Sequence, residues 1–179
     1  SFFLFISNLT NEFLYVAIVA AIYYAVDKRK GIKMAVMVMT NMSLNFLLKD
    51  IFKIDRPYVK NSGIINKDVK TGYGYSFPSG HSQFNSGFYT SLATQFNVKK
   101  YYVLIIAFVL MVAFSRVYLG VHSIIDVICG VAFGFLWVVL INSVLEKILS
   151  GKSSILYLFS LIGIINIILS QNTDSIKIL

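Results

Sequence analysis

Charge is scarce in this sequence: only 13% of its 179 residues are aspartate, glutamate, lysine or arginine. Soluble globular domains carry roughly 25%. Hydrophobic residues make up 57% of the chain. Together these values exclude an ordinary soluble domain and indicate an integral membrane protein.

Cysteine is almost absent, since Cys129 is the single one in the chain. One thiol cannot form an intrachain disulfide and cannot hold a metal cluster alone. It falls inside an apolar run, where packing is its expected role. The redox compartment is therefore left undetermined.

Acidic residues are few, with 8 aspartates and glutamates against 16 lysines and arginines, which gives a net charge of +8. In a soluble protein such a charge would favour nucleic acid as a partner. Here the basic residues fall mostly between apolar runs, where membrane topology and lipid headgroups account for them. We therefore expect membrane lipids as partners and no nucleic acid.

Six apolar segments approach the length of about 20 residues that a helix needs to cross the hydrocarbon core. They run approximately from Asn11 to Val26, Ile32 to Phe52, His81 to Phe96, Tyr101 to Leu119, Ser123 to Leu145 and Ile155 to Leu169. The sequence thus predicts an all-α fold, a six-transmembrane-helix bundle that forms a single domain over residues 1–179. The first residue is Ser1 rather than methionine, which leaves open whether the natural protein begins earlier.

The connections between these segments are short, except for the stretch from Lys53 to Ser79. Basic runs at Asp27 to Lys33, Asn97 to Lys100 and Glu146 to Ser154 fall on one side if the helices alternate. The positive-inside rule assigns that side to the cytoplasm. We therefore expect the long loop on the extracytoplasmic side. The membrane is expected to be a bacterial plasma membrane, because the frequent asparagine, isoleucine and lysine are typical of AT-rich bacterial genomes.

Some polar residues interrupt the predicted spans. Asn41, Asn45 and Lys49 recur at intervals of four and share one helix face. Hydrogen bonding between helices is the favoured explanation for the two asparagines. Gly130 and Gly134 form a pair of small residues that favours close packing within the bundle over a dimer contact. The oligomeric state is left open.

Three polar clusters map to the same face of the predicted bundle. Lys49 ends the second span outward and His81 begins the third inward. Arg116 ends the fourth span outward and His122 begins the fifth inward. The clusters are KDIFKIDRP from Lys49 to Pro57, PSGH from Pro78 to His81, and SRVYLGVHSIID from Ser115 to Asp126.

Taken singly, most of these residues have a purely structural explanation. Lys49 and Arg116 are placed to snorkel toward a membrane interface. Ser79 is placed to cap a helix. Lone histidines are usually polar groups satisfied by hydrogen bonds. Asp126 is the exception, because a carboxylate about one turn inside a membrane helix is costly and marks a functional site by default.

His122 is the predicted partner of Asp126. The i, i+4 spacing places both on one helix face, so that Asp126 can accept a hydrogen bond from one ring nitrogen and leave the other as a lone pair. The nearby cations Lys49, Arg56 and Arg116 favour a multiply charged anion such as a phosphoryl group.

Two further contributions come from the start of the third span. Ser79 and the Gly80 amide are placed to donate hydrogen bonds to an anion at a helix N-terminus. If His122 attacks phosphorus, the departing oxygen needs a proton, which His81 is placed to supply. Because the two histidines need opposite protonation states, the activity is expected to be bell-shaped in pH.

In these three motifs, Lys-x6-Arg-Pro, Pro-Ser-Gly-His and Ser-Arg-x5-His-x3-Asp, the sequence resembles the PAP2 (type 2 phosphatidic acid phosphatase) superfamily, which shares its site with vanadium haloperoxidases. The resemblance covers Lys49 to Asp126 in motif, and membrane members are six-helix bundles with an extracytoplasmic or lumenal site. It implies that His122 is the nucleophile that forms a phosphohistidine, that Asp126 orients it and that His81 protonates the leaving group. Phosphate-binding roles are implied for Lys49, Arg56, Ser79, Gly80 and Arg116.

The resemblance also implies that no metal and no cofactor is required, in agreement with the lack of a carboxylate-rich cluster in the sequence. The expected function is a membrane lipid phosphatase acting on undecaprenyl pyrophosphate, phosphatidylglycerophosphate, phosphatidate or a similar lipid. One alternative is a phosphotransferase with a lipid or sugar hydroxyl as acceptor. The other is a non-catalytic binder or transporter of lipid phosphates, against which the presence of both histidines and Asp126 argues.

Overall fold

The computed structural model describes residues 2–10 and 12–148, and these residues are predominantly helical. A π-helical segment, Ile22–Val26, continues the second α-helix, and a short 3-10 helix, Lys99–Tyr101, precedes the sixth. The α-helices are α1 (Phe2–Leu9), α2 (Glu12–Ala21), α3 (Lys28–Phe52), α4 (Pro57–Lys60), α5 (Gly80–Phe96), α6 (Tyr102–Tyr118) and α7 (Ile124–Ile148).

Five of the six predicted spans fall on described residues, and each coincides with a helix. The sixth, from Ile155 to Leu169, lies outside the described residues. By length and hydropathy, two helical stretches of the described chain are able to cross a membrane, Lys28–Lys60 and Ile124–Glu146. A third is obtained if Phe2–Leu9 and Phe13–Val26, which meet at an angle of 43°, form one bent span.

Helix α5 was predicted as a span but does not meet the length and hydropathy requirements of one. It lies in the interior of the bundle. It packs against α3, α6 and α7. Its buried face is polar, and side chains on α3 satisfy part of it. The buried polar residues of α5 are Ser82, Gln83, Asn85, Ser86 and Ser91.

Asn41 and Asn45 of α3 both bind Gln83 of α5. The Asn41 Nδ2 donates to the Gln83 backbone oxygen over 3.1 Å, and the Gln83 Nε2 donates to the Asn41 Oδ1 over 3.0 Å. The Asn45 Nδ2 donates to the Gln83 Oε1 over 2.8 Å. The prediction that the two asparagines form hydrogen bonds between helices is therefore confirmed.

Gly130 and Gly134 bring α7 against the backbone of α5. A Cβ atom at Gly134 would lie 2.2 Å from the Gln83 backbone oxygen, and one at Gly130 would lie 2.7 Å from the Ser79 backbone oxygen. Any larger residue would therefore push the two helices apart. Both glycines allow close packing between helices of the same chain, which is the role that the sequence analysis favoured over a dimer contact.

The distribution of polarity is that of an integral membrane protein, with apolar side chains outside and polar ones inside. Large apolar residues remain exposed along α6 and α7. On α6 these include Val103, Leu104, Ile106, Leu110 and Phe114, and on α7 they include Ile125, Ile128, Phe135, Leu136 and Leu140.

The bundle has two distinct ends. At one, which we call the site end, the C-terminal ends of α3 and α6 meet the N-terminal ends of α5 and α7. At the other, the basic end, Lys33 and Arg29 of α3 form ion pairs with Glu146 of α7. The Arg29 Nη2 and the Glu146 Oε2 are 3.3 Å apart. The long loop between α3 and α5 folds over the site end.

Candidate active site

His122 lies in the connection between α6 and α7, with only 4% of its surface exposed. The chain reaches it through Gly120, which has a φ of +75°. A Cβ atom there would lie 2.6 Å from the Ile65 backbone oxygen. Glycine is therefore required both by the left-handed backbone and by the close approach of the long loop.

The His122 ring is held from both sides. Its Nε2 lies 3.3 Å from the Arg56 Nη1. Because a guanidinium only donates hydrogen bonds, Nε2 must carry the lone pair and Nδ1 the proton. Nδ1 lies 3.3 Å from the Ser76 Oγ and 3.7 Å from the Asp126 Oδ2.

The structure brings His122 and Asp126 together, as the sequence predicted. The His122 Nδ1 and the Asp126 Oδ2 lie 3.7 Å apart, which is slightly longer than a hydrogen bond and within ion-pair distance. His122 precedes the first residue of α7 by two positions, so the two side chains do not share a helix face. The Ser76 hydroxyl lies between them and donates to the Asp126 Oδ2 over 2.6 Å.

Asp126 is the third residue of α7, close to the position about one turn inside the helix that the sequence indicated. Its Oδ2 accepts a hydrogen bond from the Ser123 backbone nitrogen over 2.7 Å, and the Ser123 Oγ accepts one from the Asp126 nitrogen over 3.2 Å. This reciprocal arrangement is a capping box. A carboxylate here is also favoured by the helix dipole, so the fold itself stabilises the charge.

Arg56 precedes α4 and is buried. It donates to three backbone oxygens: from Nε to Gly74 over 3.0 Å, from Nη2 to Tyr73 over 2.6 Å and from Nη1 to Val121 over 2.9 Å. The long loop and the α6–α7 connection are therefore both anchored on one guanidinium, which faces the His122 ring.

Lys49, in the last turn of α3, turns into the protein. Its Nζ donates to the Tyr75 backbone oxygen over 2.6 Å and to the Ser76 backbone oxygen over 3.3 Å. The side chain does not snorkel toward an interface. It instead fixes the segment that carries the Ser76 hydroxyl.

Arg116 is fully buried, with 0% of its surface exposed, so its snorkelling interpretation is wrong. Its Nη1 forms an ion pair of 2.8 Å with the Asp68 Oδ2 and also donates to the Ser7 Oγ over 2.5 Å. Its Nη2 donates to the Thr71 Oγ1 over 2.8 Å. Its Nε is buried without a partner in the described part of the chain.

Asp68 compensates the charge of Arg116. Burial alone would raise the pKa of the Asp68 carboxyl, but hydrogen bonds from Thr71, Arg116 and Ser7 and the positive charge of Arg116 hold that pKa below its ordinary value. The carboxylate is therefore ionised at neutral pH. It joins the long loop to α6 through the ion pair with Arg116 and to α1 through a hydrogen bond of 3.2 Å from the Ser7 Oγ.

Ser79, Gly80 and His81 form the start of α5. The Ser79 Oγ accepts from the Ser82 nitrogen over 3.4 Å, which makes Ser79 the N-cap, and the Ser79 nitrogen donates to the Asp126 backbone oxygen over 3.0 Å. The half-buried His81 ring has no hydrogen bond to any residue among 2–10 and 12–148. It lies within electrostatic range of Lys49, Arg56, Arg116 and Asp68.

The protonation of His122 follows from its surroundings. Burial lowers the pKa of the His122 imidazole well below its ordinary range, and the charges of Arg56, Lys49 and Arg116 act in the same direction, whereas Asp126 opposes them. The ring is therefore neutral at neutral pH. A neutral imidazole with its lone pair on Nε2 is the form that a nucleophile requires. In this structure that lone pair faces the Arg56 Nη1.

Two side chains of the site, Ser76 and Asp68, were missed in the sequence. Ser76 lies two residues before Pro78 of the PSGH motif, and Asp68 is an acid in a lysine-containing loop. Neither position belongs to a sequence pattern that would predict the side chain it contacts. The contacts of Lys49 and Arg56 with backbone oxygens cannot be predicted from residue types, because every residue has such an oxygen. Within the described residues, no three histidine, cysteine, aspartate or glutamate side chains are grouped as metal ligands.

Comparison with known proteins identifies a family that matches most of the chain. Residues 30–149 match the PAP2 superfamily. A crystal structure of a transmembrane PAP2 type phosphatidylglycerolphosphate phosphatase from Bacillus subtilis has a TM-score of 0.66 and 28% sequence identity, and the match covers 82% of this chain and 76% of that one.

Two curated relatives are sphingosine-1-phosphate phosphatases. The protein from Rattus norvegicus is 28% identical over 145 residues, which is 78% of this chain and 32% of the relative. The protein from Mus musculus is 28% identical over 141 residues, 75% of this chain and 31% of the relative. The chain therefore spans about a third of the length of the curated relatives it matches.

Proposed function

This chain belongs to the PAP2 superfamily, and from that premise we propose that it is a membrane lipid phosphatase with His122 as its nucleophile. The substrate class is a lipid with a terminal phosphate or pyrophosphate, such as undecaprenyl pyrophosphate, phosphatidylglycerophosphate or phosphatidate. The observation that carries the proposal is the orientation of His122, whose Nε2 lone pair faces the Arg56 guanidinium over 3.3 Å.

In the first step, the His122 Nε2 attacks the terminal phosphorus. An N–P bond forms, the bond from phosphorus to the leaving oxygen breaks, and His81 donates a proton to that oxygen. The half-buried His81 ring, free of hydrogen bonds to described residues, supports this role. The product is a phosphohistidine and a dephosphorylated lipid.

In the second step, water attacks the phosphohistidine. His81, now neutral, accepts a proton from the water, and the N–P bond breaks to release phosphate and restore the His122 lone pair. Lys49, Arg56, Arg116, Ser79 and the Gly80 amide stabilise the charge on the equatorial oxygens. The unpaired Nε of Arg116 and the N-terminal position of Gly80 on α5 support this assignment. The scheme requires no metal ion and no cofactor.

The membrane arrangement belongs to the same proposal. Five described helices together with the segment Ile155 to Leu169 would form six spans, with the site end outside a bacterial plasma membrane and the basic end in the cytoplasm. Single cysteines at Lys60 and Lys100, in a Cys129→Ala background, test this. An impermeant maleimide should label the first and not the second in intact cells, and the opposite pattern would reject the orientation.

The decisive experiment is phosphate release in detergent with a chelator present. Undecaprenyl pyrophosphate, phosphatidylglycerophosphate, phosphatidate and sphingosine-1-phosphate are offered to the wild type and to His122→Ala. We expect release from at least one lipid that survives the chelator. The mutant should lose roughly 10⁴-fold or more of the rate, as expected when a nucleophile is removed.

Controls separate the mechanism from its rivals. Rapid quenching without acid should trap a phosphohistidine in the wild type, and an active enzyme without this intermediate would reject the nucleophilic role. Transfer of phosphate to an added alcohol with no free phosphate would indicate a phosphotransferase. Tight binding of a lipid phosphate by a folded protein without turnover would indicate a binder.

A further inference from the structure

We propose that residues 64–71 of the long loop form a membrane-docking segment, which inserts Ile65 and Val69 into the headgroup region of the leaflet at the site end. The partner is the surface of a phospholipid bilayer and not another protein. This inference rests on the membrane arrangement proposed above, in which the site end lies at one face of the bilayer. It goes further because it brings part of a loop, and not only the helices, into contact with lipid.

The docking segment exposes two large apolar side chains. Ile65 is 71% exposed and Val69 is 77% exposed. The Gly72 backbone nitrogen donates to the Asp68 backbone oxygen over 2.9 Å, which closes a turn with Val69 directly after its first residue. Removal of such side chains from water is favourable, so this turn presents a surface that gains from contact with lipid.

The docking segment is fixed to the C-terminal end of α6. The Lys67 backbone nitrogen donates to the Leu119 backbone oxygen over 3.0 Å. The Ile65 backbone oxygen packs against Gly120, where a Cβ atom would lie 2.6 Å from it. Because α6 ends at Tyr118, the segment lies level with the end of that helix.

The apolar surface of α6 leads directly to the docking segment. Leu110, Phe114 and Tyr118 are exposed and follow one another at intervals of four residues, so they share one face of α6. The Lys67 Nζ lies 4.5 Å from the centre of the Tyr118 ring. A tyrosine at the end of a lipid-facing helix is typical of the membrane interface. The docking segment therefore continues the lipid-facing surface at the depth of the headgroups.

The charges of the loop favour a phospholipid as the partner. Between residues 57 and 73 the exposed charged side chains are Lys60, Lys67 and Lys70, all of them positive. The acid of this range, Asp68, is buried. Lysines at a bilayer surface are attracted by anionic headgroups. Apolar side chains flanked by lysines are typical of segments that lie in a membrane interface.

Docking acts on the site through Asp68. This residue lies between Ile65 and Val69 in sequence, and its Oδ2 forms an ion pair of 2.8 Å with the Arg116 Nη1. Insertion of the two apolar side chains restricts the turn that carries Asp68 and so keeps the ion pair closed. The bilayer thereby helps to position Arg116, to which the proposed function assigns phosphate binding.

Fluorescence in proteoliposomes of phosphatidylcholine and phosphatidylglycerol tests the position of the segment. An environment-sensitive fluorophore is attached at Val69→Cys in a Cys129→Ala background. Ser62→Cys, at an exposed polar residue of the same loop, is the matched reference. We expect spin-labelled lipids to quench the label at position 69 more than the label at 62, and iodide to show the opposite order.

Three results would overturn docking. Equal quenching by lipid at both positions would mean that the segment has no preference for the bilayer. Stronger quenching by iodide at position 69 would mean that the face is open to water and to a second copy or another protein. A label at 69 that neither quencher reaches would mean that another part of the chain covers it.

The effect on the site is tested with the double variant Ile65→Ser/Val69→Ser. Val59→Ser, which changes an exposed valine of α4 outside the docking segment, is the control. With a long-chain lipid substrate of the wild type in vesicles, we expect kcat/KM of the double variant to fall about 3-fold to 10-fold. With a short-chain analogue in detergent it should stay within about twofold, because exposed substitutions rarely disturb a fold.

The kinetic result is decided by the difference between vesicles and detergent. Equal losses in the two would show an effect that does not depend on the bilayer, and an unchanged rate in vesicles would show that docking does not act on Arg116; either outcome contradicts the proposed coupling. A wild type that releases no phosphate from any lipid, with the label at 69 quenched by lipid, would reject only the phosphatase function. An active wild type whose label is quenched by iodide alone would reject only docking.

Discussion

The site end and the basic end of the bundle both join helices or loops through ion pairs, yet in opposite environments. At the site end, the Arg116 Nη1 and the Asp68 Oδ2 are 2.8 Å apart, with 0% and 6% of the side chains exposed. At the basic end, the Arg29 Nη2 and the Glu146 Oε2 are 3.3 Å apart, with 59% and 49% exposed. An exposed pair is screened by water and contributes little, whereas a broken buried pair leaves a charge that nothing solvates.

The difference shows where this fold tolerates costly charge. Burial of Lys49, Arg56 and Arg116 is unfavourable by itself, and each is offset by backbone oxygens or by Asp68. At the basic end, Arg29 and Glu146 reach the surface, whereas Lys33 is buried and is compensated by the half-exposed Glu146. Buried cations with fixed partners form a pre-organised anion site, and among residues 2–10 and 12–148 three such cations are grouped only at the site end.

The largest effect should come from Arg56 set against Arg29. Arg56→Gln removes the charge that faces the His122 Nε2 and weakens the anchoring of the long loop, so we expect a loss of roughly 10²-fold to 10³-fold in kcat/KM. Arg29→Gln should leave kcat/KM unchanged. Phosphate release measured on both purified variants makes the comparison, and equal losses would show that net charge matters more than position.

A smaller effect is expected from Asp68 set against Glu146. Asp68→Asn keeps the shape of the side chain but leaves Arg116 uncompensated, and we expect kcat/KM to fall about 10-fold to 100-fold with a lower melting temperature. Glu146→Gln removes a carboxylate that pairs with the exposed Arg29 and with the buried Lys33, so it should lower the melting temperature but leave kcat/KM unchanged, because the basic end lies away from the site. A stable, fully active Asp68→Asn would mean that Arg116 is positioned by Ser7 and Thr71 alone.

The smallest effect concerns pH, which should weaken the site end first. The folded pKa of His122 is lowered, so the unfolded chain binds a proton more readily below pH ~6.5 and stability falls there by at most about 1.4 kcal/mol per pH unit. Asp68, whose folded pKa is also lowered, adds its loss only below pH ~4. Melting temperatures at pH 7, 6 and 5 should decline, and His122→Ala should flatten that slope; an equal slope would exclude His122 as its cause.

Much of this fold could be predicted because its signals are local. The positions of α3, α5, α6 and α7 follow from apolar runs and from the breaks between them. The hydrogen bonds of Asn41 and Asn45 follow from their spacing on one helix face. α1 was not predicted, because eight residues are too few to stand out as a span.

The site was less readable, because its partners come from distant parts of the chain. Arg116 is held by Ser7 and Asp68, which are 109 and 48 residues away in sequence. The i, i+4 rule placed His122 and Asp126 near each other but missed that His122 lies before the helix. The i, i+4 rule applies only when both residues lie within one helix. Here the turn before α7, which ends at the capping box of Ser123 and Asp126, determines how His122 is placed relative to Asp126.

The polar face of α5 has a consequence for how the chain enters the membrane. Inserted alone, α5 would expose Gln83, Asn85 and three serines to lipid, which strongly disfavours stable residence in the bilayer. Asn41 and Asn45, the partners of Gln83, are made earlier on α3, but the glycine surface that encloses α5 is on α7, which the ribosome makes last of the three. We therefore expect α5 to be retained beside the translocon until α7 emerges, so that the helix bearing His81 and the helix bearing Asp126 are inserted together.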